Sequence, residues 1–436
     1  MAYRRRSILK LIISTFAVLS VKVRAAGRVH INVKSFGAIG DGKFDNTNAI
    51  NLAFEEAKIS GPVAIYFPRG RYLFTNIEVE FDDVEVFGVG AVLISSLPVD
   101  TQLPAIWLRG RRIWVHDLAI CYQIPVDVMA SGMVAKRGPN AYGLRLGGGR
   151  KPKPWYCEKV LVENVEIKYA RGGGMQISNA NNVMVRKSVI YQVLGNGLGF
   201  DNCQRNVTAK LNNIQYAGDD LLVIVTDDMV PGGTKNVNFI LNVVGFGFAK
   251  GIATSGSDGI LIASNQIFNT YASGIVIFSD RFYNLGSSKN VVVKENTVRH
   301  AGHMFGKGLF RPIKSSVGDS VFISSGSSNV KIIGNNLYDS IRDGIVATFA
   351  KDLLIVDNRI GYHPGTGILL GDIASRETTD VERFEVSGNI ISDTSNGISV
   401  GSSSFGIIYN NTINLSSGRK DDGVRVGSIN NVTIKR

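Results

Sequence analysis

A short apolar unit recurs along most of this chain, and such a repeat limits the possible folds more tightly than any single motif does. Asn-Val pairs open successive units at Asn182, Asn206, Asn236, Asn290 and Asn329. A second mark, an asparagine closely followed by an aliphatic residue, stands at Asn213, Asn242, Asn265, Asn296, Asn336, Asn358, Asn389 and Asn411. A third mark, Gly-Ile, stands at Gly251, Gly274, Gly344, Gly367 and Gly397. The shortest units are 22–24 residues long, enough for three short strands and their turns. A unit of that size cannot bury its own apolar face, so units must stack as coils, about 4.8 Å apart. Alternation turns Ile and Val inward. Asparagine suits the turns, where it tolerates left-handed backbone and hydrogen-bonds to the next coil. The expectation is an all-β chain, a parallel β-helix (solenoid) of roughly ten or more coils.

Composition agrees with many tight turns between buried strands: 49 glycines, 11 prolines and only 19% charged residues in a chain of 436. The chain opens with Arg4-Arg5-Arg6-Ser7-Ile8-Leu9-Lys10, an apolar run from Leu11 to Val21, and Val23-Arg24-Ala25. A basic start, a short apolar stretch and a small residue predict a signal peptide of the twin-arginine type over residues 1–25. The run is too short for a permanent membrane span. Six positive and no negative side chains lie in that segment, so the formal charge falls from +12 to +6 without it. A mildly basic remainder fits an acidic polysaccharide and is too weak to indicate nucleic acid. Cys121, Cys157 and Cys203 are widely spaced and odd in number, so they define neither a disulfide framework nor a zinc site. No cofactor or metal is expected.

Residues 26–60 read as an N-terminal strand and a helix, and residues 61–436 as the β-helix. Asp45-Asn46-Thr47 supplies N-cap chemistry, and Ala49, Ile50, Ala53, Phe54 and Ala57 recur at helical spacing. A capping helix of this kind would cover the open end of the stack. Phe36-Gly37-Ala38, Gly40-Asp41-Gly42, Asp45, Thr47 and Ala49-Ile50 resemble the N-terminal cap of the pectate-lyase-like superfamily, whose members are right-handed parallel β-helices.

Chemistry is expected around Gly218-Asp219-Asp220, which runs directly into the apolar Leu221-Leu222-Val223-Ile224. Adjacent carboxylates oppose each other's ionisation, which suits a general acid, although the same triplet is ordinary turn chemistry. Stacking would place Asn196 one coil before the pair, Lys250 one coil after, and Asp280 and Arg281 in the coil beyond, with Asp201 ending the strand of the first. These residues would share one ridge. Extra residues near 226–235, 279–288 and 302–318 would form loops walling a groove, with Tyr283 beside Arg281 as a sugar platform.

Residues 181–300 resemble the catalytic part of β-helical glycoside hydrolases, the polygalacturonases and the α-1,3-glucanase/mycodextranase family. Gly218-Asp219-Asp220 matches their paired-aspartate motif, Ala249-Lys250-Gly251-Ile252-Ala253 a following segment, and Asp280-Arg281-Phe282 an Asn-Arg-Phe segment of the glucanases. The resemblance implies a secreted or periplasmic hydrolase of a polysaccharide or oligosaccharide, with Asp219 and Asp220 catalytic. Asp201 is the candidate to take over from the families' third aspartate, whose place Asn196 holds. Asn196, Lys250, Asp280, Arg281 and Tyr283 would bind substrate. Two positions depart from the pattern: Asn196 stands where the families have an aspartate, and Lys250 where polygalacturonases have a histidine. Two other readings stay open. One is a lyase or epimerase on a uronate polymer, drawing on Lys250, Arg281, Arg299 or His300; the other is a β-helix that binds glycan without cleaving it.

If residues 1–25 direct export, mature protein collected outside the cytoplasm should begin near residue 26, and intact-mass analysis would read this directly. Material still beginning at Met1 would refute the assignment.

Overall fold

The computed structural model describes residues 27–128, 140–148, 157–280, 283–303, 318–324, 326–371, 381–401, 405–416, 423–427 and 431–435. Residues 1–26, and with them the expected signal peptide, lie outside that set. The β-helix expectation holds: the strands form a parallel solenoid of about 13 turns. Three faces run along it. The first carries Leu144–Gly147, Met175–Ser178, Leu198–Asp201, Leu222–Val225, Ile252–Ser255 and Ile275–Phe278, each paired in parallel with its neighbour in the next coil. The second includes Ala180–Arg186, Arg205–Lys210 and Thr234–Ile240, and the third Val189–Val193, Asn213–Ala217 and Val243–Gly247.

The core is a continuous column of inward aliphatic residues. Leu198, Leu222, Ile252 and Ile275 align on the first face and are fully buried, as are Ile224 and Ile277 two positions on. The Gly-Ile mark follows from the same packing. A Cβ at Gly251 would lie 2.4 Å from the Gly274 carbonyl oxygen and 2.5 Å from the Ile267 γ-methyl. Only glycine lets the corner come that close to the core and to the next coil.

The asparagine marks separate into two ladders with different tasks. Asn212, Asn242, Asn265, Asn296, Asn335, Asn358 and Asn389 are buried. Asn242 donates its backbone N–H (2.8 Å) and its amide (3.0 Å) to Oδ1 of Asn265, and its amide also reaches the carbonyl of Ala209 at 2.9 Å. Asn265 repeats this toward Asn296. At two coils the sequence reading is one residue off: the ladder uses Asn212 and Asn335, while the expected Asn213 is exposed and Asn336 only half-buried. The left-handed residue is the one before each ladder asparagine, at Leu211, Leu241, Ser264, Glu295, Gly334, Asp357, Gly388 and Asn410, with φ between 53° and 66°. The unit-opening Asn182, Asn206, Asn236, Asn290 and Asn329 are themselves left-handed and form the second, more exposed ladder, with Asn206 donating to Asn182 at 2.7 Å.

The helix Thr47–Ile59 buries Ala49, Ile50, Ala53, Phe54 and Ala57 in the main core, with Phe54 edge-on to Phe81. Asn46 does not cap it. The side chain of Asn46 turns inward, accepting from Ile39 and donating to the carbonyls of Phe44 and Leu73, and Asp45 receives the Thr47 N–H instead. Cys121, Cys157 and Cys203 are all free thiols.

Replacing Asn265 by Ala would strip the buried Asn242 N–H of its acceptor and the Phe239 carbonyl of its donor. The expected cost is about 2–4 kcal/mol in urea unfolding, at 1–3 kcal/mol per buried group left unsatisfied. Asn213→Ala, on the surface one position past the ladder, should change stability by less than about 0.5 kcal/mol.

Candidate active site

The turn before each first-face strand builds one row of side chains. Gly174 donates to the carbonyl of Asn196, Gly197 to that of Asp220, Leu221 to that of Lys250, and Gly251 to that of Ser273. The row continues through Asp319 and Asp343, which accept from Gly274 and Ser320. Asn196, Asp220 and Lys250 are therefore neighbours in consecutive coils, as the sequence indicates. Gly218 makes the turn possible, since a Cβ there would lie 2.3 Å from the Leu194 carbonyl oxygen. Leu221 holds the corner that glycine holds in neighbouring coils, and it fits because Gly247 leaves room beside it: a Cβ on Gly247 would lie 2.7 Å from Leu221 Cγ.

Asp220 is buried and answered. Its Oδ1 accepts the Lys250 backbone N–H at 2.9 Å, and the Lys250 ammonium lies 3.3 and 3.2 Å from its two oxygens. Burial works against charge on Lys250, but Asp220, Asp219 and Asp280 outweigh it and hold the amine protonated above its ordinary range. The ammonium also faces the Phe278 ring at 5.0 Å. Part of the Asp220 geometry is structural, because Asp319 accepts the N–H of Asp343 and Asp343 that of Thr366 in the same way. Asp319 and Asp343 share Arg342 at 4.0 Å, a looser ion pair than the 3.2 Å one between Asp220 and Lys250.

A second row stands where the strands end. Asp201 pairs in register with Ser178 and Val225. Burial, reinforced by the negative charge of Asp227, pushes its carboxyl up to about 6, with Arg145 pulling the other way. Asp227 and Asn202 exchange two hydrogen bonds, at 2.9 and 3.0 Å. Asp280 closes a reciprocal backbone pair with Leu285, which also bridges Asp227. The expected single ridge is thus two rows: Asn196, Asp220 and Lys250 at the strand starts, and Asp201, Asp227 and Asp280 at the ends. Four residues, Gly197 to Phe200, separate Asn196 from Asp201, and six, Leu221 to Thr226, separate Asp220 from Asp227. Between the rows lies an apolar floor of Val223, Ala253 and Val276, with Val225, Phe278 and Phe322 packed on it.

Two of the expected insertions, 226–235 and 279–288, border one open cavity of about 460 Å³, lined among others by Asp227, Asp228, Asp258, Asn284 and Lys289. They stand on the strand-end side, away from Asp219 and Asp220. Tyr283 is exposed. Arg281 and most of the 302–318 insertion lie outside the described residues. His300 pairs with Asp339 at 3.1 Å on the surface of the third face, and Arg299 lies in the same strand, Thr297–Ala301.

Sequence reasoning missed a group on the N-terminal side of Asp201. Trp107 points outward from the first face and donates its indole N–H to Gly147 at 2.8 Å. The guanidinium carbons of Arg109 and Arg145 lie 4.4 and 4.6 Å from the indole centroid, and that of Arg145 lies 5.9 Å from the Tyr142 ring. The alternation Ile106-Trp107-Leu108-Arg109 does carry the signal, but these coils precede the regular run of asparagine marks that aligned the rest. Among the described residues no cluster of three or more His, Cys, Asp and Glu is placed to hold a metal ion, and no helix is long and apolar enough to cross a membrane.

Residues 137–311 and 311–436 match the family model described as the right handed beta helix region. The chain belongs to the right-handed β-helix family. Its N-terminal resemblance also holds, since residues 30–96 match a model described as rhamnogalacturonase A/epimerase, pectate lyase-like. Over 405 residues this β-helix is 23% identical to the uncharacterized protein YclG of Bacillus subtilis, covering 86% of this chain but 64% of YclG. Among solved structures, the family 28 exopolygalacturonase of Yersinia enterocolitica superposes with a TM-score of 0.58 at 17% identity, covering 94% of this chain and 79% of that one. The A-module of the mannuronan C-5 epimerase AlgE6 of Azotobacter vinelandii gives 0.54 at 17% identity, covering 93% and 99%. At such identities these likenesses concern the fold.

Asp201 binds its proton more tightly in the folded chain, near pH 6, than an unfolded aspartate does near 4. Its ionisation across that window therefore costs stability as pH rises. Asp201→Asn should match wild type near pH 4 and melt higher than wild type above pH 6. Equal melting temperatures at pH 7 would contradict this.

Proposed function

We propose that this β-helix is a polysaccharide-active enzyme, and specifically a glycoside hydrolase working through Asp219, Asp220 and Asp201. The observation that carries this is the contrast between two carboxyl environments on one face. Asp220 accepts the N–H and ammonium of Lys250, donors suited to an ionised carboxylate, whereas Asp201 keeps its proton up to about pH 6. A carboxyl that its surroundings hold protonated can act as the acid while other carboxylates on the same face accept protons. The acid protonates the glycosidic oxygen as its bond to the anomeric carbon breaks. The base takes a proton from the water that attacks that carbon. Asn196 cannot act as the base, since an amide has no proton affinity to offer at neutral pH, so this role passes to the Asp219-Asp220 turn.

The polygalacturonase and epimerase folds beside this one support a glycan as substrate. Lysine chemistry at C5 of a uronate fits less well, because Lys250 is held protonated by its ion pair and a general base must be free to accept a proton. With an export signal at its start, the enzyme would meet its polysaccharide in the periplasm or outside the cell.

Screening the protein against neutral and acidic polysaccharides provides the responsive glycan, and Asp219→Asn and Asp220→Asn then test the site. Each should lose about 10²–10⁴ in turnover, the usual worth of a positioned proton transfer. Asp219→Asn should melt close to wild type, and Asp220→Asn lower, because it leaves the Lys250 ammonium without its carboxylate. Products should be new reducing ends without the ultraviolet absorbance of an unsaturated uronate. Near-normal turnover in both variants would overturn the assignment.

A further inference from the structure

Arg145 differs from the arginine next to it in what answers its charge. Arg109, beside it on Trp107, is answered by Glu78 at 2.7 Å and Glu80 at 3.8 Å. Among the described residues Arg145 has no carboxylate within ion-pair distance. Its polar contact among the described residues is one long hydrogen bond, from Nη1 to Asn140 Oδ1 at 3.4 Å, and its buried Nε meets no acceptor there. Burial pulls its pKa down, and Asp201 acts on it only from a distance. A guanidinium is rarely desolvated without compensation. This one is also held in place: Trp107 and Tyr142 flank its plane, the indole is pinned to Gly147, and Gly148, at φ 74°, leaves no room for a Cβ, which would stand 3.0 Å from Nη2. Along the face toward Asp201 the outward positions are small or flat: Gly147, Ser178 and Gly199, with the Gln176 amide lying where a side chain on Gly199 would be. Arg145 and Asp201 thus stand two coils apart, about 10 Å along the axis.

We propose that Arg145, preorganised over Trp107 and Tyr142, receives the carboxylate of a uronate sugar, so that the glycan bound on this face is acidic and runs from Arg145 toward Asp201. The planar fork of arginine matches a carboxylate with two parallel hydrogen bonds, and its donors lose little freedom on binding because the guanidinium is already held against Trp107 and Tyr142. One coil spacing is close to the length of one sugar and its linkage, so the anionic unit sits about two sugars from Asp201. The assignment rests on the glycan-active reading and adds the substrate's charge to it.

Calorimetry with trigalacturonate and trimannuronate, and with galactotriose and mannotriose as neutral counterparts, tests it on the full chain. An acidic trimer should bind wild type, more weakly as salt is raised. Arg145→Gln should weaken that binding at least tenfold, the scale of a charge-assisted pair, with Arg145→Lys in between. Trp107→Phe, which keeps a ring but loses the bond to Gly147, should weaken it severalfold and provides a second reading should Arg145→Gln fold poorly. Unchanged binding in Arg145→Gln, equal binding of a neutral trimer, or no binding of either acidic trimer would overturn the proposal. If a neutral polysaccharide is turned over in an Asp219-dependent way while no acidic trimer binds, the hydrolase reading stands and this inference alone fails. If acidic trimers bind through Arg145 and turnover ignores Asp219, the reverse holds.

Discussion

The buried amide ladder is the interaction on which this solenoid depends. A coil corner turns the backbone away from strand pairing and leaves N–H and C=O groups inside an apolar column, where each unmet group is costly. Asn242, Asn265 and their counterparts meet that demand twice over, accepting from the coil before and donating to the carbonyl of a strand end. The residue ahead of each is forced left-handed, which Gly334 and Gly388 take easily and Leu211 and Leu241 take at some strain. Because every ladder side chain speaks to the next coil, coils are locked in rotation about the axis as well as in height. Side chains 24 to 30 residues apart, such as Asn196, Asp220 and Lys250, owe their alignment to that locking.

On this frame the first face has two edges with different electrostatics. The strand-start edge holds an ion pair in which an aspartate and a lysine satisfy each other, and its backbone contacts are shared with Asp319 and Asp343 farther along. The strand-end edge holds carboxyls that crowd one another: Asp201 feels Asp227 and gains only partial relief from Arg145. One edge favours fixed charge and the other a titrating proton. The aliphatic floor between them excludes water and strengthens both effects.

Much of this was legible in the sequence, because solenoid geometry converts spacing into proximity. The repeat marks were enough for the fold, and the Gly-Asp-Asp turn with its neighbours Asn196 and Lys250 fell where the spacing put them. What was lost has physical causes. Asn213 and Asn336 looked like ladder residues because Asn-Asn at positions 212–213 and 335–336 offers two amides, and only burial selects between them. The spread of the carboxylates over two edges was missed because residues such as Asp201 and Asp220 share neighbouring coils, and a repeat period alone does not say on which side of a strand they stand. Trp107 and Arg145 lay in coils before the regular run of asparagine marks, so the marks did not align them with the site. The inward turn of Asn46 depends on Ile39 and Leu73, contacts that no local pattern encodes.

The shared ladder has a further consequence for how such a face can change. Its axial coordinates come in whole steps: a side chain on the first face can be one coil from another or two, but not one and a half. Residues may be added to loops such as 226–235 without moving any coil, whereas a residue added at a ladder corner would break the register of every amide beyond it. A chain of this kind can therefore exchange the side chain at a given step or insert a complete step. It cannot slide one along the axis. Recognition on this scaffold is digital, and its unit is the coil.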